Sequence, residues 1–179
     1  MTIGLKRGTV KLCPHDPEWE DEAQKTIVFL APLFGAAAVD IQHVGSTSVR
    51  GIRAKPILDI AVAAPDMEAV RERIPVLEAA GVRFRGEDHP GQLLFVMGDF
   101  ENEIRTHHIH VVPADSRAWR DYLAFRDRLN ARPELAAEYD RLKGELAERY
   151  AADRGSYTAG KAAFIARILG ETEPSSETP

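Results

Sequence analysis

A single cysteine, Cys13, leaves no intrachain disulfide to form, and nothing in the sequence points to an oxidising compartment. No stretch reaches the roughly eighteen consecutive apolar residues of a membrane span, and the first residues lack the apolar core of a secretory signal. These absences predict a cytoplasmic protein with no membrane partner. A basic surplus is also missing. With a formal net charge of -5 the chain has no global attraction to phosphate backbones, so a nucleic-acid partner is not expected and any phosphate contact must come from a local site. Repeats and internal linkers are absent as well. What is present is an ordinary globular composition, 44% hydrophobic and 28% charged, over 179 residues that fit one domain. Residues 1–170 are read as that domain and Glu171 to Pro179, rich in Ser, Thr, Glu and Pro, as a frayed tail.

Periodicity and breakers divide the chain. Thr9 to Leu12 reads as a short strand, and Asp16 and Pro17 open an amphipathic helix from Glu18 to Phe34. Val39 to Val44 and Ile57 to Ala63 read as strands on either side of a small polar turn, Gly45 to Ser48. Met67 to Ala80 has helical spacing interrupted by Pro75. Val82 to Phe84 and Leu93 to Met97 read as paired strands, and Ile104 to Val112 as a further one. Helices then take over: Trp119 to Asn130 capped by Ser116, Pro133 to Tyr150, and Tyr157 to Leu169. Strands first and helices last predict an α+β (mixed α/β) fold, a central mixed β-sheet with helices packed on one face and a helical C-terminal third.

The segment from His43 to Ile60 is the richest in chemistry. A strand that ends in Gly45-Ser46 leaves backbone N–H groups and hydroxyls free for phosphate oxygens; Gly45 permits close approach, and Ser46, Thr47 and Ser48 add donors. A plain capped turn is the competing explanation. Asp59 lies inside the apolar run Ile57 to Val62, where a carboxylate is costly unless paired or bound to metal. Arg50, Arg53 and Lys55 just upstream offer a structural ion pair; alternatively Asp59 holds a divalent cation such as Mg²⁺ while these bases neutralise phosphate. On the strand Ile104 to Val112, His108 and His110 share one face by the two-residue period, and with Asp59 they would make a two-His, one-carboxylate set suited to Zn²⁺, Mn²⁺, Fe²⁺ or Ni²⁺. Glu103 is an alternative third carboxylate. Arg105 falls on the opposite face and reaches a phosphate only if the strand is bulged. His43 either contacts ligand or orients the turn from the core. Lys161 and Tyr157, one turn apart, read as a solvated face unless their helix covers the cleft.

The wording of these segments resembles the GrpB family: His43-Val44-Gly45-Ser46-Thr47, Gly51, Ala54-Lys55-Pro56 and an apolar pair before Asp59-Ile60. Pro14 to Trp19, Arg105 to Val111, Phe125-Arg126-Asp127, Pro133, Tyr157 and Lys161 to Ile165 extend the match over nearly the whole chain. The resemblance implies a nucleotidyltransferase-like fold, in some cases similar to the extra domain of dephospho-coenzyme A kinases, and a small-molecule nucleotide or phosphorylated metabolite as ligand. The family is one of uncertain activity, and the residues themselves give the candidate roles: Asp59 and Lys55 catalytic, with His43, Gly45, Ser46, Thr47, Arg50, Arg53 and Arg105 around phosphate. One departure is visible, because the transferase pattern has a second carboxylate two residues after the first, and here that position is Ala61. Three functions are therefore expected to compete: metal-dependent nucleotidyl transfer, a non-catalytic nucleotide-binding module, and a metal enzyme built on Asp59, His108 and His110.

Overall fold

The structure is a computed structural model and describes residues 3–170. The expected tail from Glu171 to Pro179 lies outside the described residues. The elements, in chain order, are β1 (Leu5–Lys6), α1 (Glu18–Phe34), β2 (Asp40–Val44), β3 (Leu58–Ala64), α2 (Met67–Glu72), α3 (Ile74–Ala79), β4 (Arg83–His89), β5 (Gln92–Met97), β6 (Ile104–Arg105), β7 (His107–Pro113), α4 (Arg117–Ala131), α5 (Pro133–Arg149), α6 (Arg154–Gly160) and α7 (Ala162–Gly170). A five-stranded sheet has the order β2-β3-β7-β5-β4, and β1 pairs with β6 in a two-stranded ribbon. Within the large sheet only β3 and β7 run parallel, the other neighbours being antiparallel, so the sheet is mixed.

Each strand of the central pair serves two faces, as the pleat requires. Leu58, Ile60 and Val62 with Ile109 and Val111 point to one side, where they pack with Trp19, Ala23, Leu30 and Phe34 of α1 and with Val70 and Leu77 of α2 and α3. Asp59 and Ala61 with His108 and His110 point to the other. There α4 lies against β3 and β7, and a second apolar cluster joins the C-terminal helices through Phe125, Leu129, Leu135, Tyr139, Phe164 and Ile168. Helices therefore cover both faces rather than the single face expected, because α1 precedes the sheet in sequence and takes the side the C-terminal helices leave open.

Local signals explain most boundaries. Asp16 accepts the Glu18 N–H at 3.0 Å at the start of α1, and Ser116 accepts that of Trp119 at 3.2 Å in α4. Pro75 splits its segment into α2 and α3, as its missing N–H requires. Four expectations are corrected. The N-terminal strand is Leu5–Lys6, and beyond it the chain makes only an isolated bridge, Cys13 to Ala54. β4 continues past Phe84 to His89 through irregular register. The strand expected over Ile104 to Val112 breaks at Thr106, whose N–H and C=O bond Met97 and Leu58 while Arg105 turns away to pair with Leu5. The last helix is two, opening at Arg154 under an Asp153 cap and broken at Lys161.

Candidate functional site

Register places the key groups. Asp59 on β3 stands directly beside His108 on β7, and Ala61 directly beside His110. Because Ala61 ends at its Cβ, the imidazole of His110 has room to lean over it toward Asp59. His108 Nδ1 and His110 Nε2 lie 3.2 Å and 3.4 Å from the same oxygen, Asp59 Oδ1. One candidate ligand atom from each residue falls within 4.8 Å of the others. Gly45 makes this approach possible: its φ is 73°, and a Cβ there would stand 2.5 Å from Asp59 Oδ2.

The hydrogen bonds around the rings define their tautomers. Arginine only donates, so the 3.3 Å contact from Arg154 Nη2 makes His108 Nε2 an acceptor and leaves Nδ1–H to face Asp59. Tyr122 donates its hydroxyl to Gln92 Oε1 at 3.1 Å, so Gln92 Nε2–H faces His110 Nδ1 at 3.3 Å and leaves Nε2–H to face Asp59. Asp59 thus receives two imidazole N–H groups. Burial pushes its pKa up, but the hydrogen bonds from His108 and His110 outweigh that, and the carboxyl is held well below its usual range. The side chain is not sealed: 31% of its surface opens into a cleft.

That cleft has a volume of about 560 Å³. Gly45, Ser46 and Thr47 line it on the sheet side, and Lys55, Arg154, Tyr157 and Lys161 close the opposite wall, with Tyr122, Phe125 and Tyr139 supplying apolar surface. Lys55 and Lys161 flank the Tyr157 ring, 5.2 Å and 4.8 Å from its centroid. Burial, then the charges of Lys161 and Arg154, lower the Lys55 pKa to about 8 against the opposing pull of Asp59. Burial likewise lowers that of Lys161. In the turn, Ser48 closes on Gly45 through its N–H at 3.2 Å and its hydroxyl at 2.6 Å, so the first two N–H groups, of Ser46 and Thr47, precede the turn's own bonds.

The structure gathers some of the expected residues and scatters others. Asp59, His108, His110, Gly45, Ser46, Thr47 and Lys55 share the cleft. Arg53 does not line it: its guanidinium is tied to Asp140, with Nη2 3.0 Å from Oδ2. Arg50 is exposed, and its backbone N–H bonds Asn130. Arg105 stacks on Phe100, apart from the cleft lining. His43 sits behind the turn with Nε2 2.9 Å from Thr47 Oγ1, and burial lowers its pKa to about 4; it orients the turn. Glu103 is exposed in a tight turn with φ 57°. Of the two alternatives for Asp59, the ion pair with the upstream bases does not form among the described residues, and His108 and His110 are the partners of the carboxylate. Conversely, Tyr157 and Lys161, expected on a solvated face, wall the cleft, and Arg154, Gln92, Tyr122 and Tyr139 carried no local signal of belonging to it.

Comparison with known proteins finds relatives over most of the chain. A family model described as GrpB protein matches residues 9–171. The glutamate-rich protein GrpB of Alkalihalophilus pseudofirmus is 37% identical over 174 residues, covering 94% of this chain and 99% of that protein. The crystal structure of GrpB from Enterococcus faecalis superposes with a TM-score of 0.81 at 29% identity, covering 89% of this chain and 94% of that one. Cid1 in complex with its short product ApU superposes with a TM-score of 0.54 at 11% identity, over 77% of this chain and 43% of that one, a likeness of fold alone.

Proposed function

We propose, from the premise that this chain belongs to the GrpB family and has a nucleotidyltransferase-like fold, that its cleft binds the phosphates of a nucleotide or similar metabolite beside one divalent metal ion held by Asp59, His108 and His110. The observation that carries this reading is the convergence of one carboxylate and two imidazoles on the floor of a cleft walled by three cations. Two imidazoles and one carboxylate favour Zn²⁺, Mn²⁺, Fe²⁺ or Ni²⁺ over Mg²⁺, which takes oxygen ligands. When bound, such an ion supplies Lewis acidity to a phosphate oxygen. Lys55, with its pKa near 8, is mostly protonated at pH 7 and serves as counter-charge and as proton donor to a leaving oxygen. The Ser46 and Thr47 N–H groups face the remaining phosphate oxygens. Transfer by two metal ions does not suit this floor, since Ala61 and the overlying His110 occupy the place of the second carboxylate.

A second reading has its own support. Arg154 and Gln92 set both rings to donate N–H to Asp59, a complete hydrogen-bonded set without any ion, and this favours a non-catalytic phosphate-binding module. The two differ in what Arg154 does. Ligation through His108 Nδ1 puts the ring proton on Nε2, against the Arg154 guanidinium, so Arg154 must leave the ring and is then free to reach a ligand phosphate.

Asp59→Asn decides between them, because the amide keeps the shape and loses the charge. Melting temperatures are measured for wild type and variant in chelator and in excess Zn²⁺ or Mn²⁺, with and without nucleoside triphosphate. Stabilisation of wild type by the ion and its loss in the variant support the metal site. No gain for wild type from any divalent ion refutes it, and nucleotide stabilisation in chelator then leaves the binding module.

A further inference from the structure

Arg83 and Arg85 lie on β4, the far edge of the five-stranded sheet, and Arg105 on β6 and Arg7 just after β1 belong to the two-stranded ribbon next to it. Elsewhere arginines meet either carboxylates, as Arg53 meets Asp140, Arg71 Glu87 and Arg126 Asp127, or backbone carbonyls, as Arg73, Arg120 and Arg128 do. Carboxylates are not scarce, at 28 acidic to 23 basic residues. Yet among the described residues none of the four arginines has an ion pair. Phe100 instead holds two of them together, with the Arg83 and Arg105 guanidinium carbons 3.9 Å and 4.7 Å from its ring centroid. Arg105 is 9% exposed, and its Nη1 is buried with no hydrogen-bond partner. Burial, then the charges of Arg85, Arg7, Arg83 and Arg154, lower the Arg105 pKa, so each of these four acts on Arg105.

The arrangement is built. A Cβ on Gly98 would collide with the Ile104 backbone oxygen, so only glycine lets the strand carrying Arg105 close on β5. The cluster is also joined to the cleft. Arg83 pairs with Val96, Val96 with His108, and His108 with Asp59, so one row of the sheet carries all four side chains on one face. At about 4.8 Å per strand, Arg83 stands roughly 10 Å from His108. Arg154 bridges the gap, bonded to His108 and acting on Arg105.

We infer that Arg7, Arg83, Arg85 and Arg105 form a second anion subsite, contiguous with the cleft, which takes a run of linked phosphates. Like charges held together without an ion pair, with a buried, unpartnered donor among them, are neutralised by multiply charged anions, and guanidinium forks match phosphate oxygens. Phe100, covered by two arginines, offers no free ring for stacking a base, so the subsite reads phosphate. Such a run belongs either to a polyphosphate tail or to a sugar-phosphate backbone.

The test uses the full chain in chelator, so that it does not depend on a metal ion at Asp59. Affinities for sodium tripolyphosphate and for a ten-nucleotide single strand are measured for wild type, for Arg83→Gln/Arg85→Gln, and for Lys55→Gln. Both arginines are exposed, so the variant keeps its fold, which an unchanged melting transition verifies. The expected result is a loss of at least about tenfold in the arginine variant and a smaller one in Lys55→Gln. Tighter binding of tripolyphosphate identifies a polyphosphate tail as the source, and tighter binding of the strand a nucleic-acid backbone. Absence of binding by wild type, or wild-type affinity in the arginine variant with loss only in Lys55→Gln, overturns the subsite; the latter result leaves the cleft reading intact.

Discussion

Replacing His43 with Gln isolates how a buried imidazole behind the Gly45–Ser48 turn makes the protein acid-sensitive. His43 meets Thr47 Oγ1 at 2.9 Å, and its pKa falls from 6.5 to about 4, first through burial, with Arg126 adding to the shift and Asp59 opposing it. Between these values the unfolded chain binds a proton that the native one refuses. The stability that neutral His43 contributes is therefore fully present above pH 6.5 and is lost as the pH falls toward 4. Linkage puts the loss at about 2 kcal/mol by pH 5 and about 3 kcal/mol by pH 4. Glutamine does not titrate and keeps an amide for Thr47, so His43→Gln carries a constant offset from altered packing and a shallower pH slope. Urea unfolding at pH 7.5, 6, 5 and 4 gives both curves. The gap between them must change by about 2 kcal/mol between pH 7.5 and 5, wild type losing more; parallel curves would show that the ring is protonated in the native state and that the reasoning is wrong.

Gly45→Ala combines a left-handed φ of 73° with a Cβ 2.5 Å from Asp59 Oδ2, and it is expected to cost about 2 to 3 kcal/mol in chemical denaturation. Gln92→Leu removes the amide N–H that keeps the His110 proton on Nε2, facing Asp59, so the ligating tautomer becomes easier to reach and Zn²⁺ titration followed by calorimetry should show binding at least as tight as wild type. Lys143 is fully buried, donates to the Arg53 carbonyl, and has its pKa lowered by burial to about 7. The native state releases this proton before the unfolded chain does, so stability rises with pH from about 7 toward 10.5. Lys143→Met should make that rise in melting temperature shallower, Lys55 and Lys161 supplying the remainder.

The sheet side of the site was legible because its signals are local. A glycine at a strand end, an aspartate within an apolar run and two histidines at a spacing of two each state a direction through the period of a β-strand, and all of them share the cleft. The opposite wall was not legible. Arg154, Tyr157 and Lys161 reach it by tertiary packing, and nothing within a few residues of them distinguishes a cleft-facing turn from a solvated one. Arg53 shows the same limit in reverse: it reads as a phosphate ligand beside the turn, but Asp140, 87 residues later, claims both its backbone N–H and its guanidinium. The short β1 was missed because two residues carry no period, and the break at Thr106 because its cause is pairing with Met97 and Leu58 rather than anything in its own side chain.

The parallel pairing of β3 with β7 also sets the order in which the chain can acquire its chemistry. Asp59 and His108 are 49 residues apart, with α2, α3, β4, β5 and β6 between them, and Arg154 lies a further 46 residues on. Non-local pairing of this kind is slow, since loop-closure entropy is lost before the contact forms. In the proposed metal site, His108 and His110 are close in sequence, but Asp59 joins them only when the central strands have met. Metal affinity measured during refolding would therefore report closure of the sheet, and a chain stalled before that step carries no competent site.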